Sequence, residues 1–244
     1  MTRVLVVADE VEPGLWSDAI RSMPVDLLLA AGDLPFDYLE FLVDALDRPG
    51  VFVPGNHDLD LDLGGFDSVA GIPLRAGFPS RWPGPRGWIN ADGEVVTAAG
   101  LRIAGLGGSI RYNDGPNQWT EAQQARRARR LVRKARRRPV DVLLTHSPPR
   151  GVGDREDPPH RGFECLRDAV DRLHPAWMLH GHIHPHGEPV PDHQLGATTV
   201  RNVVGHRFIE IARSPANLEG YSPPIQRRWA VRPARAIGRG HSHT

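Results

Sequence analysis

The chain has 244 residues and a formal net charge of +1, and 40% of its residues are hydrophobic and 24% charged. This length can bury one large core, and the composition is ordinary for a soluble globular protein. The single cysteine, Cys165, excludes an internal disulfide framework and any zinc cluster built from several cysteines.

The first 55 residues alternate short apolar runs with helical patterns. The apolar runs are "RVLVVA", "VDLLLAA" and "GVFVPG", and the helical patterns between them are "PGLWSDAIRSM" and "FDYLEFLVDAL". Near-continuous apolar strands separated by helices are typical of a parallel sheet covered on both faces. Each predicted strand ends at a polar loop, and open α/β sheets place their ligands at such loops.

A second sheet is predicted from the middle of the chain. Residues 73–90 are rich in Pro, Gly, Arg and Trp, which predicts an irregular segment between the two sheets. From Ile89 onward, "WINADGEVVTAAGLRIAGLGG" predicts antiparallel strands joined by turns. Thr120 and Gln123 form a capping box for a basic helix, which ends before Pro139.

The remaining elements complete one domain near Ala212. They are the segments "VDVLLT", "FECLRDAVDRL", "AWMLHG", "ATTVRN" and "HRFIEI". The residues that follow are rich in Pro, Gly and Arg and show no sustained periodicity. We therefore predict a folded domain over residues 1–212 and a basic C-terminal tail over residues 213–244.

No targeting segment is apparent. The first predicted strand begins at Arg3, so we expect no secretory signal ahead of it. The apolar runs are also far shorter than the roughly 20 residues that a membrane span needs. We expect a cytoplasmic protein without a membrane partner, and the sequence indicates no oligomeric state.

Polar residues that bind divalent metal ions follow the predicted strands. Asp9 ends the first strand, and the later segments are "GD" at 32–33, "GNHD" at 55–58, "THS" around His146 and "HGHIHPH" at 180–186. Carboxylate, imidazole and amide oxygen ligands suit hard to borderline divalent ions. A spacing of two residues puts His182 and His184 on one side of an extended segment.

These segments, in this order, resemble the calcineurin-like metallophosphoesterase superfamily. Its pattern is D-x-H, G-D, G-N-H-D/E, a lone His and then G-H-x-H, and the resemblance covers about residues 1–212. The resemblance implies an α/β fold, a four-layer sandwich of two mixed β-sheets flanked by helices. It also implies a dinuclear site that hydrolyses a phosphate ester.

The resemblance assigns metal ligands residue by residue. Asp33 resembles the carboxylate that bridges the two metals. The first metal would be held by Asp9 and His184, and the second by Asn56, His146 and His182. His57 resembles the catalytic imidazole that contacts the phosphate or protonates the leaving group, and Asp58 would orient it.

The chain departs from the family pattern at Val11, where D-x-H requires a histidine. We expect no other imidazole to replace it, so water or Glu10 would fill the gap at the first metal. Glu10 as a ligand would give a more carboxylate-rich site that favours Mn²⁺ or Mg²⁺. The alternative interpretation is that Glu10 only places a negative charge at the positive end of a helix that begins near Pro13.

Arg111 is the candidate substrate-binding residue. It follows a Gly-rich segment in "GLGGSIRYNDGPNQWT", where a guanidinium could contact a phosphate or pin the loop through a salt bridge. The histidines outside the motifs, among them His160, are not assigned to the site.

These residues predict a metal-dependent phosphoesterase acting on a small phosphomonoester or phosphodiester. Two cations would neutralise the anionic ester and generate a bound nucleophile at neutral pH. We expect one or two divalent ions, Mn²⁺ first, with Fe, Mg²⁺ and Zn²⁺ as alternatives. The competing hypothesis is a non-catalytic module of the same fold that binds a phosphorylated or nucleic-acid partner.

Charge is distributed unevenly along the chain. Residues 121–138 carry nine Arg and Lys against one Glu, whereas the first third of the chain is acidic. An Arg-rich helix is usually a solvated face, and the alternative is a nucleic-acid contact through residues 126–138.

Overall fold

The computed structural model describes residues 1–59, 84–185, 187, 190–214 and 217, and the backbone of three short strands between residues 68 and 79. The first three strands of the chain are β1 (Thr2–Ala8), β2 (Leu27–Ala30) and β3 (Gly50–Phe52), and they belong to the first sheet. The short strands that follow are β4 (Ser68–Val69), β5 (Ile72–Arg75) and β6 (Phe78–Pro79), which form a separate small sheet.

The other strands follow in chain order. They are β7 (Trp88–Asn90), β8 (Val95–Ala98), β9 (Leu101–Leu106), β10 (Ser109–Ile110), β11 (Gln118–Trp119), β12 (Val142–Thr145), β13 (Trp177–His180), β14 (His193–Leu195), β15 (Thr198–Asn202) and β16 (Gly205–Ile211). The helices are α1 (Phe36–Leu46), α2 (Glu121–Ala135) and α3 (Glu164–Leu173).

Two large mixed sheets lie face to face. The first has the order β16-β1-β2-β3-β7, and only β16 is antiparallel to its neighbour. The second has the order β14-β15-β13-β12-β9-β8, with four parallel central strands and an antiparallel strand at each edge. The carboxyl ends of the parallel strands therefore meet along one edge of the sandwich.

Three apolar clusters hold the two sheets and the helices together as four layers. One cluster fills the space between the sheets and includes Val6, Leu29, Ile103 and Leu144. A second cluster packs α1 on the outer face of the first sheet, and a third packs α2 and α3 on the outer face of the second. This arrangement confirms the predicted four-layer α/β sandwich.

Two local predictions were wrong. The helix expected near Pro13 is only a 3-10 helix over Asp18–Ser22, because Pro13 and Gly14 begin a turn instead. The second sheet begins at β8, because Trp88–Asn90 pairs in parallel with β3. The last strand, β16, pairs with the edge of β1, a pairing for which the sequence made no prediction.

The predicted boundary at residue 212 has contacts across it. The Arg213 side chain donates a hydrogen bond to the Thr2 hydroxyl at 2.8 Å, and the buried Asn217 amide donates one to Asp141 at 2.7 Å. Most of the predicted tail, from residue 218 to 244, lies outside the described residues. No helix in the described part of the chain is long and apolar enough to cross a membrane, and the cytoplasmic location stays a prediction.

Candidate metal centre

The sequence-predicted ligands all lie in loops at the carboxyl ends of the parallel strands. Asp9 directly follows β1, Asn56 lies four residues after β3, and His146 and His182 follow β12 and β13. Asp33 lies three residues beyond β2. The two sheets contribute to one site because their carboxyl ends lie along the same edge.

Three of these side chains converge tightly. The ligand atoms of Asp33, His146 and His182 all lie within 4.8 Å of one another, and both histidines are buried. The Nε2 atom of His146 is 3.3 Å from the Asp33 carboxylate and 3.0 Å from the Asn56 side-chain oxygen. These four residues are the ones to which the resemblance assigns the bridging and second-metal positions.

The outer ring nitrogens of both histidines are held by backbone carbonyls. His146 Nδ1 donates to the Ala31 carbonyl, and His182 Nε2 donates to the Pro159 carbonyl, both at 2.7 Å. A carbonyl only accepts a hydrogen bond, so each of these nitrogens carries a proton, and the nitrogens that a metal ion could bind in its deprotonated form are Nε2 of His146 and Nδ1 of His182. Metal-bound histidines are held in this way, and the donor set therefore fits a divalent ion.

Burial and neighbouring charges shift the pKa values of the cluster residues in different directions. Burial lowers the pKa of His146, but the Asp33 and Asp9 carboxylates outweigh burial and raise that pKa to about 9. Burial raises the pKa of Asp33, but His146 outweighs burial and lowers that pKa to about 2. The pKa of His182 falls to about 3 through burial and the nearby His146.

Asp9 and His184 form the candidate first metal site. The Asp9 side chain is almost fully buried, accepts the His182 backbone N–H at 2.9 Å, and lies 3.9 Å from His184 Nε2. Burial raises the Asp9 pKa, which is the expected response of a carboxylate removed from water. His184 is more exposed than the second-metal histidines, so the two halves of the centre differ in their enclosure.

Glu10 supports His184 from the outside. Its Oε1 atom lies 2.9 Å from His184 Nδ1, which leaves Nε2 as the nitrogen nearer Asp9. Val11 is half-buried and packs against the apolar cluster under α1. Val11 thus contributes to the core at the position where the family pattern has histidine.

In the GNHD loop, the His57 side chain is exposed and the Asp58 side chain accepts backbone hydrogen bonds. His57 is exposed, and its backbone N–H donates to Asp33 Oδ1 at 2.8 Å. The Asp58 carboxylate accepts the backbone N–H groups of Gly55 at 2.8 Å and Asp33 at 2.9 Å. Asp58 thus ties two ligand loops together, a contact that the sequence did not predict, and its role in orienting His57 stays a prediction.

Glycines permit the close approach of these loops. A Cβ atom at Gly55 would meet the Asp33 carboxylate, and one at Gly181 would meet the Asp9 carboxylate. Gly32 also has a φ of 95°, a conformation that residues with a side chain rarely adopt. The motif glycines are therefore required by the packing of the ligands.

Asn117 and Tyr112 belong to the site but were missed by sequence reasoning. The Asn117 amide donates to the carbonyls of Gly55 at 3.0 Å and Asp58 at 3.1 Å, and so clamps the GNHD loop. The Tyr112 hydroxyl accepts the Asn56 amide N–H at 3.2 Å, which turns the Asn56 oxygen toward His146. Their place directly after the Gly-rich segment was the available signal.

Arg111 precedes Tyr112, which contacts Asn56, and His160 lies beside His182. The Arg111 guanidinium donates to the Gln118 carbonyl at 3.4 Å on the same loop, and the residue is exposed. The His160 ring lies 5.5 Å from the His182 ring, measured between centroids, and its Nδ1 contacts Asp157. His160 was left unassigned from the sequence because it has no motif around it.

An open cavity leads to the centre. It has a volume of about 430 Å³ and is lined by Asp33, Leu34, Pro35, Phe36, His57, Asp58 and Leu59. Both His57 and Asp33 therefore line a space that a small ester could enter.

Comparison with known families agrees with this geometry. A model of the calcineurin-like phosphoesterase family matches residues 3–186. The chain belongs to this family.

Similar proteins add detail on fold and relatives. The chain is 24% identical over 213 residues to the lariat debranching enzyme of Schizosaccharomyces pombe, a match covering 74% of the chain and 42% of that relative. The match therefore covers about two fifths of the length of this curated relative. The crystal structure of TT1561 of Thermus thermophilus aligns with a TM-score of 0.57 and 16% identity, covering 84% of this chain and 89% of that one. Another solved structure aligns with a TM-score of 0.59 and 17% identity, covering 86% and 97% of the two chains.

Proposed function

We propose that the chain hydrolyses a phosphate ester at a divalent metal centre formed by the strand-end residues. The observation that carries the proposal is the convergence of the Asp33, His146 and His182 ligand atoms within 4.8 Å. Family membership supports phosphoester hydrolysis in general. Similarity to a debranching enzyme supports an enzyme over a non-catalytic module of the same fold.

The metal ligands would be the residues that the resemblance assigns. Asp33 would bridge, Asn56, His146 and His182 would hold one ion, and Asp9 and His184 the other. Bound divalent ions would supply a water of lowered pKa and neutralise the phosphate oxygens. Oxygen and imidazole donors without thiolates suit Mn²⁺, which we propose as the working metal.

The protein side chains would guide the bond changes in hydrolysis. A water oxygen bonds to phosphorus, the bond from phosphorus to the ester oxygen breaks, and the departing oxygen takes a proton. We assign His57 to that proton transfer or to contact with the phosphate, because its side chain is exposed beside the buried cluster. Arg111 would add a cationic contact to the substrate.

Model esters provide the direct test. Purified protein is supplied with Mn²⁺ and assayed on p-nitrophenyl phosphate and bis-p-nitrophenyl phosphate, which separates monoesterase from diesterase activity. We expect turnover that chelation abolishes and Mn²⁺ restores. Metal-loaded protein that is inert on both esters and on linear and cyclic nucleotides would favour the non-catalytic module.

Two variants separate proton transfer from metal binding. His57→Gln should lower kcat by about 10²- to 10⁴-fold with metal content unchanged, because a general acid acts on the transition state. Asp33→Asn should lower metal content itself. His193→Gln, on edge strand β14, is the matched control and should behave like the natural chain. Equal metal loss in the His57 and Asp33 variants would contradict the role assigned to His57.

A further inference from the structure

The exposed face of α2 carries a stripe of arginines. Its four members follow the i, i+3, i+4, i+7 spacing of one helix face, and all are exposed: Arg126, Arg129, Arg130 and Arg133. The opposite face buries Gln124, Ala128, Leu131 and Ala135 against the second sheet and α3. Packing of the apolar face therefore fixes the direction in which the arginine stripe points.

The stripe differs from the basic residues on the flank of the same helix. Arg127 pairs with Asp92 and stacks on Trp119 at 4.3 Å, and Lys134 pairs with Glu94. Within the described part of the chain, none of the four stripe arginines forms an ion pair or a hydrogen bond. Intramolecular carboxylates neutralise the flank of α2 and leave the charge of the stripe available to a partner.

The stripe begins near the metal centre and leads away from it. Gln124, in the first turn of α2, donates a hydrogen bond to the Gly107 carbonyl at 3.1 Å, and the neighbouring Gly108 N–H donates to Pro54 at the start of the GNHD loop. At the other end, the Ala135 carbonyl accepts a hydrogen bond from Arg102 near the start of β9. The arginine stripe therefore runs from the edge that holds the ligands toward the opposite edge.

The charge of the neighbouring helix limits the basic surface to α2. The exposed charged residues of α3 are Glu164, Asp168, Asp171 and Arg172, three acidic and one basic. A polyanion lying across α3 would meet mainly carboxylates, whereas one lying along α2 would meet only guanidinium groups on the stripe. Charge complementarity thus favours a polyanion that lies along the axis of α2 over one that crosses α3.

We propose that the stripe binds the phosphate backbone of a nucleic acid strand and directs that strand toward the metal centre. From Arg126 to Arg133 the helix rises about 10 Å, at about 1.5 Å per residue. Along one strand of a duplex the phosphates are about 3.4 Å apart in axial rise, so the stripe spans about three phosphate intervals, or about four phosphates for its four arginines. As a substrate-binding surface, the stripe depends on the proposed phosphoesterase function.

The composition of α2 indicates how the strand is recognised. The helix "EAQQARRARRLVRKA" contains no aromatic residue on which a base could stack. Recognition then depends on phosphate contacts, which carry no sequence information. Binding should be insensitive to base sequence and should weaken steeply as salt rises.

Fluorescence anisotropy on the full chain tests this surface. The probe is a fluorescein-labelled oligothymidylate of about 20 nucleotides, titrated between about 50 and 200 mM salt, with its integrity checked on a gel. We compare the double variant Arg130→Gln/Arg133→Gln with the control Arg21→Gln/Arg86→Gln, which removes the same charge from exposed positions elsewhere. Gln and Arg have similar helix propensities, and circular dichroism verifies that α2 still forms.

The expected result is a change in salt dependence confined to the helix variant. Losing two phosphate contacts lowers the slope of log K against log salt by about 1.4, since each single-strand contact contributes about 0.7. At about 50 mM salt that slope corresponds to a loss of affinity of about ten- to a hundredfold. Absence of binding by the natural chain, or equal behaviour of the two double variants, would overturn the proposal.

A competition arm distinguishes a nucleic acid from an acidic protein partner. Unlabelled oligothymidylate should displace the probe at much lower charge-equivalent concentration than polyglutamate, and equal displacement would refute a nucleic-acid surface. Hydrolysis of bis-p-nitrophenyl phosphate is measured separately on the natural chain. Binding without hydrolysis would contradict the phosphoesterase function alone, and hydrolysis without oligonucleotide binding would contradict the stripe alone.

Discussion

Glu10 offers the sharpest test of how this centre functions without a histidine at position 11. The structure places Glu10 Oε1 2.9 Å from His184 Nδ1, with His184 Nε2 nearer to Asp9. Removing a carboxylate that orients a metal-bound histidine typically costs 10- to 100-fold in metal affinity. The Glu10 side chain is 57% exposed, so water competes for the hydrogen bond. We therefore expect Glu10→Ala to weaken the first site about tenfold, or by about 1.4 kcal/mol.

Calorimetric titration of the chelator-treated protein with Mn²⁺ resolves this effect, because the two sites should fill in separate steps. Glu10→Ala should lower the Mn²⁺ affinity of the weaker step alone. Glu10→Gln should lower that affinity less than about threefold, since an amide oxygen still accepts the Nδ1–H hydrogen bond. Glu12→Ala is the matched control, because Glu12 bonds the Gly14 backbone and contacts His206 instead. A Gln variant as defective as the Ala variant would make Glu10 a direct ligand, and an unaffected Ala variant would refute both roles.

Other changes test the supports of the site and the core. Tyr112→Phe removes the acceptor of the Asn56 amide and should weaken the second metal site about tenfold in the same titration. Asn117→Gly should lower the free energy of unfolding, measured by urea denaturation, by about 1 to 2 kcal/mol, because loop hydrogen bonds are lost. Asn117→Ala should lower it by more, because φ is 49° at this position. Leu131→Ala should cost about 2 to 5 kcal/mol in the same measurement, since its side chain is fully buried. A hydrogen bond from Arg3 lowers the Asp26 pKa to about 2, so its stabilisation is present above about pH 4 and lost as pH falls toward 2. Asp26→Asn should cost about 1 kcal/mol at pH 7 and progressively less in acid.

The fold was largely predictable because its signals are local. Apolar runs alternate with amphipathic segments, and the capping box of Thr120 and Gln123 forms as expected. The pairing of distant strands was less predictable, because neither Trp88–Asn90 nor β16 carries a signal for its partner. Burial of the β1 edge determines where β16 pairs, and that edge exists only in the assembled sheet.

The positions of the candidate metal ligands at one edge of the sheets could be predicted for the same reason, since each lies in a short motif at the end of a strand. Their supports could not, because they are defined by contacts between distant segments. Asn117 reaches Gly55 across 62 positions, and His182 depends on the carbonyl of Pro159. The Glu10–His184 contact spans 174 positions and gives Glu10 a third role beside the ligand and the helix-terminus charge considered from the sequence.

Backbone strain and hydrogen bonding explain why these ligands depend on one another. Asp9, Asp33 and His182 all have φ between 58° and 69°, a left-handed conformation that costs a residue with a side chain of order 1 to 3 kcal/mol. Each is restrained by another part of the centre: the Asp9 N–H donates to the Gly32 carbonyl, the His182 N–H to the Asp9 carboxylate and the Asp33 N–H to the Asp58 carboxylate. Loss of one ligand therefore also releases a neighbouring strained loop. The energy of folding the two sheets together holds the ligand atoms close to one another, and a cation that satisfies their converging lone pairs would strengthen the same contacts.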